Sequence, residues 1–306
     1  MTELVEVLRS AVNTWECDEM GHMNVRFYVT RSVEALFSFG QTFGLGPQTL
    51  RDRQQTLAIK DQHIRFLREV HPGVPFLICA GVISADEHNI TMYEELTNLI
   101  SGQVSATFVS DVYLADVESR TPALFDKALV EQLQQQRVEL PDYAKPRGIS
   151  TAAPRPTPTL DEADKLGLFQ IYQGLVNKAD TDAYGFMQPQ GYMGSLANGI
   201  THFFIALKDQ QKPRDEGMGG AALEYRFVYR QAPQAGDIVV VRSGLKGVLG
   251  KATNFCHWMF NGESGECIAT VEAVAVSFDL TTRKAVEPSP ESRDNMMKKT
   301  VAGLSL

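Results

Sequence analysis

The sequence predicts an α+β protein made of two similar halves, each an antiparallel sheet around one buried helix. Three observations support this prediction. A short motif recurs 164 positions later in the chain, each copy leads into an apolar helical stretch, and strand-like runs of alternating residues follow each helix. One buried helix with a handful of antiparallel strands is typical of the α+β class.

The recurring motif is a loop that contains an aspartate. Residues 18–24, Asp-Glu-Met-Gly-His-Met-Asn, align without a gap with residues 182–188, Asp-Ala-Tyr-Gly-Phe-Met-Gln, and a tyrosine follows each copy at the same distance. Later landmarks keep nearly the same spacing, since Arg120 and Arg283 each follow a strand-like run. We therefore interpret the chain as an internal duplication.

The two copies predict their elements in the same order. The central helices are expected at residues 28–43 and 192–207, with strands that include 76–83 in the first copy and 238–241 in the second. Residues 126–140 predict an exposed, Gln-rich helix. Five of the 14 prolines lie between positions 141 and 158, which is typical of a linker. The predicted organisation is an N-terminal domain at 1–140, a linker at 141–165 and a C-terminal domain at 166–306.

Composition and charge exclude several classes of protein. The 306 residues are 43% hydrophobic and carry a formal net charge of -8, which argues against a broad nucleic-acid-binding face. Residues 183–207 lack charged side chains, but their glycines and polar residues favour a helix buried in protein over a membrane span. The acidic N-terminus does not resemble a secretory signal, and the four cysteines lack metal-site spacing, so we expect reduced thiols and a cytoplasmic location.

Residues 15–28, which begin Trp-Glu-Cys-Asp and contain Gly-His-Met-Asn, resemble the signature of hot-dog-fold acyl-CoA thioesterases of the 4-hydroxybenzoyl-CoA thioesterase-like group. Residues 269–285 resemble the last strand of such domains. The resemblance implies two tandem hot-dog domains that form a pseudo-dimer within the chain, with active sites between them. It also implies an acyl-CoA substrate, no separate cofactor and no metal, and it leaves room for homo-oligomers of the double unit.

Thioester hydrolysis requires a carboxylate and a donor array for the oxygen that becomes negative. Asp18 can act as nucleophile or as general base, and it lies just before a predicted helix whose first N–H groups lack internal partners. By resemblance, Val25 or Arg26 donates to the substrate oxygen, beside Gly21. His22 and Asn24 are expected to face the same pocket.

The second copy departs from this pattern. Asp182 and Gly185 are retained, but Phe186 replaces the histidine and Gln188 replaces the asparagine, with a proline that has no N–H at position 189. We therefore expect inequivalent sites, with Asp18 the stronger one and Asp182 a second catalyst, a helper or a helix cap. Lys246 and Lys251, in a predicted turn of the second half, occupy the region where similar enzymes bind the phosphates of coenzyme A.

Two other functions compete with hydrolysis. Hot-dog hydratases and dehydratases of enoyl or 3-hydroxyacyl thioesters resemble an Asp-x-x-x-x-His pattern, whereas here only three residues separate Asp18 from His22. A non-catalytic acyl-CoA sensor would keep the pocket and lack a productive base, and the aspartate retained in both copies argues against it. The sequence therefore favours an acyl-CoA thioesterase.

Overall fold

The computed structural model describes residues 3–207 and 217–306. The chain divides into two compact units, Met1–Lys145 and Pro146–Leu306, and the division falls inside the stretch predicted as a linker. Each unit has one long helix and a sheet of antiparallel strands, in agreement with the predicted α+β class.

Unit 1 contains β1 to β6 and α1 to α3. Its elements in chain order are β1 (Val5–Ala11), α1 (Val25–Thr42), α2 (Pro47–Asp52), β2 (Gln55–Phe66), β3 (Pro75–Ala85), β4 (Ile90–Asn98), β5 (Gln103–Asp116), β6 (Pro122–Ala123) and α3 (Lys127–Gln135). The sheet order is β1-β3-β4-β5-β2, all antiparallel, with β6 paired to β5. The apolar face of α1 is buried and includes Val29, Leu36 and Phe39.

Unit 2 repeats this plan. Its elements are α4 (Leu160–Lys165), β7 (Phe169–Leu175), α5 (Pro189–Leu207), β8 (Met218–Tyr229), β9 (Ile238–Leu249), β10 (Ala252–Asn261), β11 (Cys267–Asp279), β12 (Ala285–Val286) and α6 (Pro290–Met297). The sheet order is β7-β9-β10-β11-β8, with β12 paired to β11, so each strand occupies the place of its counterpart in unit 1.

The duplication is visible in the backbone itself. Four pairs of residues at the predicted spacing share a left-handed conformation, with φ between 55° and 98°: Gly21 and Gly185, Gly73 and Gly236, Gly102 and Gly265, Arg120 and Arg283. Glycine adopts this conformation without steric cost, whereas arginine does so at a cost of about 1–2 kcal/mol. The matching strain at both arginines shows that the two copies fold the same tight turn.

The repeat extends further than the sequence alone predicts. The parallel bridge between Val82 and Arg137 has its counterpart between Leu245 and Thr300, 163 residues later. The C-terminal helix α6 is therefore the counterpart of α3 in the second copy, although the sequence resemblance stops before it. The predicted Gln-rich helix is shorter than expected, because α3 ends at Gln135 and the chain then joins β3 through a bond from the Val138 amide to the Val82 carbonyl.

Much of the predicted linker packs against unit 2. Arg226 of β8 donates to the carbonyls of Ser150 and Ala152 at 2.8 Å, and Ile149 is buried against Val228 and Val274. Among residues 3–207 and 217–306, none of the helices is both long and apolar enough to cross a membrane. The charge-free stretch instead forms α5 and the turn before it, and α5 buries Tyr192, Leu196 and Phe203.

Candidate active site

The Asp18 loop is a tight turn that leads into α1. The Asp18 amide donates to the His22 carbonyl at 3.0 Å, and the Gly21 amide donates to the Asp18 carbonyl at 3.0 Å. A left-handed Gly21, with φ of 78°, allows the chain to reverse here. These bonds hold Asp18 and His22 on one short loop.

Helix α1 begins directly after the loop. Asn24 is its N-cap, since the side-chain Oδ1 accepts from the Arg26 amide at 2.9 Å. The Asn24 amide donates to the Glu16 carbonyl at 2.8 Å, and the Met23 amide donates to the Val70 carbonyl at 2.8 Å. The loop is therefore fixed on one side to the segment before it and on the other to the segment between β2 and β3.

An imidazole lies between two carboxylates at this loop. His22 Nδ1 is 3.4 Å from Asp18 Oδ2, and His22 Nε2 is 3.6 Å from Glu69 Oε1. The side chains of Asp18 and His22 are only 18% and 14% exposed, so their charges interact in a partly desolvated space. The Asp18–His22–Glu69 arrangement can orient a water molecule and move a proton.

Burial raises the pKa of Asp18 above its ordinary value of 3.8. The nearby His22 charge and the Met20 amide, which donates to Asp18 Oδ1 at 2.9 Å, act in the opposite direction and do not cancel the effect of burial. A general base is most effective when its pKa lies near the working pH. A raised pKa therefore makes a carboxylate a better base at neutral pH.

A buried ion pair connects this loop to α1. Glu16 is 2% exposed, and its carboxylate pairs with Arg31 of α1 and accepts from the Asn13 amide at 2.7 Å. Because Asp18 lies two residues after Glu16, the ion pair fixes the Asp18 segment relative to the first two turns of α1. Truncating one member of such a pair leaves the other charge buried and unpaired.

The Asp182 loop of unit 2 has the same backbone geometry. The Asp182 amide donates to the Phe186 carbonyl at 2.8 Å, the Gly185 amide donates to the Asp182 carbonyl at 3.1 Å, and the Gln188 amide donates to the Asp180 carbonyl at 2.8 Å. Asp182 Oδ1 accepts from the amides of Tyr184 and Phe186 at 2.9 and 3.0 Å. The carboxylate is held by backbone amides, and a phenyl ring replaces the imidazole beside it.

The family model of the thioesterase-like superfamily matches residues 12–133 and 176–296, one match in each copy. The chain belongs to this superfamily. Membership supports thioester hydrolysis as the general activity, and it confirms two tandem hot-dog domains as the fold. A search of curated proteins by sequence found no match.

Solved structures of similar fold extend over nearly the whole chain. They include a provisionally assigned oleoyl thioesterase of Lactobacillus plantarum, with 14% identity, a TM-score of 0.68, and coverage of 90% of this chain and 96% of that one. They also include the 12:0-ACP thioesterase of Umbellularia californica, with 9% identity, a TM-score of 0.64 and coverage of 88% and 93%. An acyl-ACP thioesterase of Bacteroides thetaiotaomicron has 13% identity, a TM-score of 0.60 and coverage of 88% and 96%. At these identities the likeness shows the shared fold.

In this thioesterase-like chain the predicted oxyanion donors differ from each other. The Arg26 amide is already engaged by the Asn24 side chain, so it is not available as predicted. The Val25 amide lies at the first position of α1, where an N–H has no partner within the helix. Asn24 therefore caps α1 through the Arg26 amide, one residue after Val25. In unit 2 the first helical position is Pro189, which has no N–H to donate.

The two predicted phosphate-binding lysines have partners within unit 2. Lys246 lies in β9 and not in the turn that the sequence indicated, and its Nζ is 2.7 Å from Oε1 of the buried Glu272. Lys251 lies in the turn between β9 and β10 and donates to the Ala285 carbonyl at 2.7 Å. Their contact with coenzyme A stays a prediction.

Three residues of this site, Glu69, Glu16 and Arg31, do not follow from the sequence motif. Glu69 lies just after β2, far from the motif in sequence, and the Met23–Val70 bond brings it beside His22. In the sequence, an acidic residue shortly before Gly73 does not by itself indicate a catalytic role for Glu69. Within the described ranges, no group of three or more His, Cys, Asp or Glu side chains could hold a metal ion.

Proposed function

We propose that the protein hydrolyses acyl-CoA thioesters at the Asp18 site of unit 1. The observation that carries the proposal is the Asp18–His22–Glu69 cluster, formed at the loop that leads into α1, in a chain of the thioesterase-like superfamily. A base with a raised pKa next to a helix N-terminus supplies the two elements that thioester hydrolysis requires.

In the proposed reaction Asp18 acts as a general base. It removes a proton from water while the water oxygen attacks the thioester carbon, and the carbonyl oxygen becomes an oxyanion near the Val25 amide. The tetrahedral intermediate then collapses, the carbon–sulfur bond breaks, and the proton passes from Asp18 to the thiolate. The products are a carboxylic acid and a free thiol. His22 orients the Asp18 carboxylate, and Glu69 orients His22.

Coenzyme A is the proposed thiol carrier. The net charge of -8 disfavours association with an acidic carrier protein, because like charges slow the encounter of two proteins. Lys246 and Lys251 are the proposed phosphate contacts. Two of the similar solved structures are thioesterases of acyl carrier protein, so the same acyl groups on both carriers provide the sharpest comparison.

The test is thiol release measured with a colorimetric thiol reagent. The substrates are short, medium, long and aromatic acyl groups on coenzyme A, and the same groups on acyl carrier protein. We expect release from acyl-CoA that depends on Asp18, with the Asp18→Asn variant as the control for contaminating hydrolases. Release from no substrate would contradict the proposed reaction, and release from the carrier protein alone would contradict the choice of coenzyme A.

A further inference from the structure

A cluster of buried polar side chains lies beneath α1 in unit 1. Ser32 of α1 donates to Glu94 Oε2 of β4, and Gln62 of β2 donates to the hydroxyl oxygens of Ser32 at 3.2 Å and of Ser110 at 3.1 Å. All four side chains are at most 1% exposed. The cluster thus joins α1 to three strands of the sheet below it.

Glu94 has the environment of a neutral acid. Burial raises its pKa to about 8, and the hydrogen bond from Ser32 opposes this only in part. Among the described residues, none bonds to Glu94 Oε1 or to Gln62 Oε1. A negative charge at this position would have a single hydroxyl as its hydrogen-bond donor, whereas the neutral acid costs much less to bury.

Adjacent residues of α1 connect this cluster to the candidate active site. Ser32 contacts Glu94 in the sheet, and Arg31, the residue before it, pairs with Glu16 in the segment that carries Asp18. Both lie about two turns from Val25, at the start of the same continuous helix. A shift of α1 on the sheet would therefore move the first amide of the helix relative to Asp18.

We propose that Glu94 is a positioning residue. As a neutral acid it holds α1 against the sheet through Ser32, and it thereby keeps the N-terminal turn of α1 in place beside the Asp18 loop. This inference rests on the proposed function for its effect on activity, and on the fold of unit 1 alone for its effect on stability. Glu94 acts through α1 and does not touch the reacting atoms.

Within the part of the chain that the structure describes, the side chains around Glu94 carry no titrating group. They are Ser32 from α1, Gln62 from β2, Ala80 from β3, and Phe108 and Ser110 from β5. The stability that neutral Glu94 provides is complete below the pKa of about 4.5 in the unfolded chain, and it is lost as pH rises through about 8. Above that pH the charged form of Glu94 weakens the packing of α1 on the sheet, and kcat falls.

The test compares the pH dependence of kcat in three variants. Glu94→Gln keeps an acceptor for Ser32 and has no ionisable group, so the alkaline fall near pH 8 should disappear. Ser32→Ala removes the bond that stabilises the charged form, so the fall should move to higher pH while kcat drops more than KM changes. Glu95→Gln is the matched control, since Glu95 lies on the opposite face of β4 and accepts from Tyr93 and Tyr143. It should keep the alkaline fall of the wild-type protein.

Thermal unfolding separates this inference from the proposed activity. Between pH 6 and pH 9 the Tm of the wild-type protein should fall relative to that of Glu94→Gln, by about 5 °C. This relative change in Tm would support the role of Glu94 in the packing of α1 even if no thioester were hydrolysed. If Glu94→Gln retained the alkaline fall, or if its Tm paralleled that of the wild-type protein at every pH, the inference would be overturned.

Discussion

The two aspartate loops share one backbone and differ in the groups around the carboxylate. Each loop has a left-handed glycine and the same two backbone hydrogen bonds across the turn. In each, a backbone N–H also donates a hydrogen bond to the aspartate Oδ1. In unit 1 the carboxylate faces His22, with Glu69 behind it, whereas in unit 2 the imidazole is replaced by Phe186. The two copies therefore share the backbone of the turn and differ in the side chains beside its carboxylate.

The helices that follow the loops differ in the same direction. In unit 1 the residue Arg31 pairs with the buried Glu16, and Asn24 caps α1. In unit 2 Ser195 stands in the place of Arg31, its hydroxyl donates to the Gly191 carbonyl of its own helix, and α5 starts with Pro189. Unit 1 thus has an ion pair between its helix and its loop and an amide at the helix start, and the proposed reaction depends on both.

The strongest test of this comparison is the pair of variants Asp18→Asn and Asp182→Asn. Loss of a general base typically costs about 10²–10⁴-fold in rate, so Asp18→Asn should reduce kcat/KM by about 10³-fold. Asp182→Asn keeps an oxygen that accepts from Tyr184 and Phe186, and we expect a loss below about tenfold. Thiol release measures both, with circular dichroism as the control for folding. Equal losses would show that the two sites contribute equally.

The position of Glu94 is occupied in unit 2 by His257, and the two units should respond to pH in opposite directions. His257 is fully buried, its Nδ1 lies 2.7 Å from the Ser243 hydroxyl, and burial lowers its pKa to about 3. The stability that neutral His257 provides is complete above its unfolded pKa of about 6.5 and is lost as pH falls towards 3. We expect unit 2 to lose on the order of 4 kcal/mol over this range.

Denaturant unfolding at pH 4 and pH 7 measures this loss. Trp258 is buried in unit 2 and Trp15 is in unit 1, so fluorescence of a Trp15→Phe variant follows unit 2 alone. Replacing both partners, as His257→Leu with Ser243→Ala, removes the titrating group and leaves no unpaired atom. The double variant should lose much less stability at pH 4. An unchanged acid response would show that His257 is not its cause.

How far the sequence predicts the site depends on distance along the chain. The loop, its glycine and the helix start follow from contiguous residues, and the structure places them together within unit 1. That the second copy is the weaker site stays a prediction. Glu69 and Glu94 could not be assigned in this way, because each depends on a contact between distant parts of the chain. Glu69 meets His22 of the loop, and Glu94 of β4 meets Ser32 of α1.

Strand register is the second limit of the sequence. In the sequence, Arg65 and Arg226 each precede a phenylalanine, which favours a match of these two arginines between the copies. The ladders instead pair Ile64 with Phe108 and Phe227 with Val271, so that His63 and not Arg65 corresponds to Arg226. A shift by two residues keeps the same face of the strand, and the alternating pattern alone does not detect it.

Converting His22 to the residue of the second copy tests how much the imidazole contributes. His22→Phe should reduce kcat/KM on the order of tenfold, which corresponds to about 1.4 kcal/mol. The acid limb of the rate profile should also move to higher pH, because the His22 charge lowers the pKa of Asp18. Glu69→Gln should have a smaller effect in the same direction. A pH–rate profile of each variant measures this, and an acid limb that did not move would contradict the coupling of Asp18 to His22.

The smallest expected effects come from the two strained arginines, and they compare the units where no chemistry is involved. Arg120 and Arg283 have φ of 58° and 55°, so replacing either with glycine relieves a left-handed backbone. In unit 2 the Arg283 guanidinium lies 4.8 Å from the centre of the Phe278 ring, whereas the corresponding residue in unit 1, Ala115, has no ring. Arg120 has contacts of its own in unit 1, where its charge acts on the Tyr113 phenol. Each glycine variant therefore gives up contacts of its arginine and gains the relief of one left-handed backbone. We expect the free energies of unfolding of Arg120→Gly and Arg283→Gly to lie within about 1 kcal/mol of each other in denaturant unfolding. A larger difference would mean that one of the two turns depends on its arginine more than the shared backbone indicates.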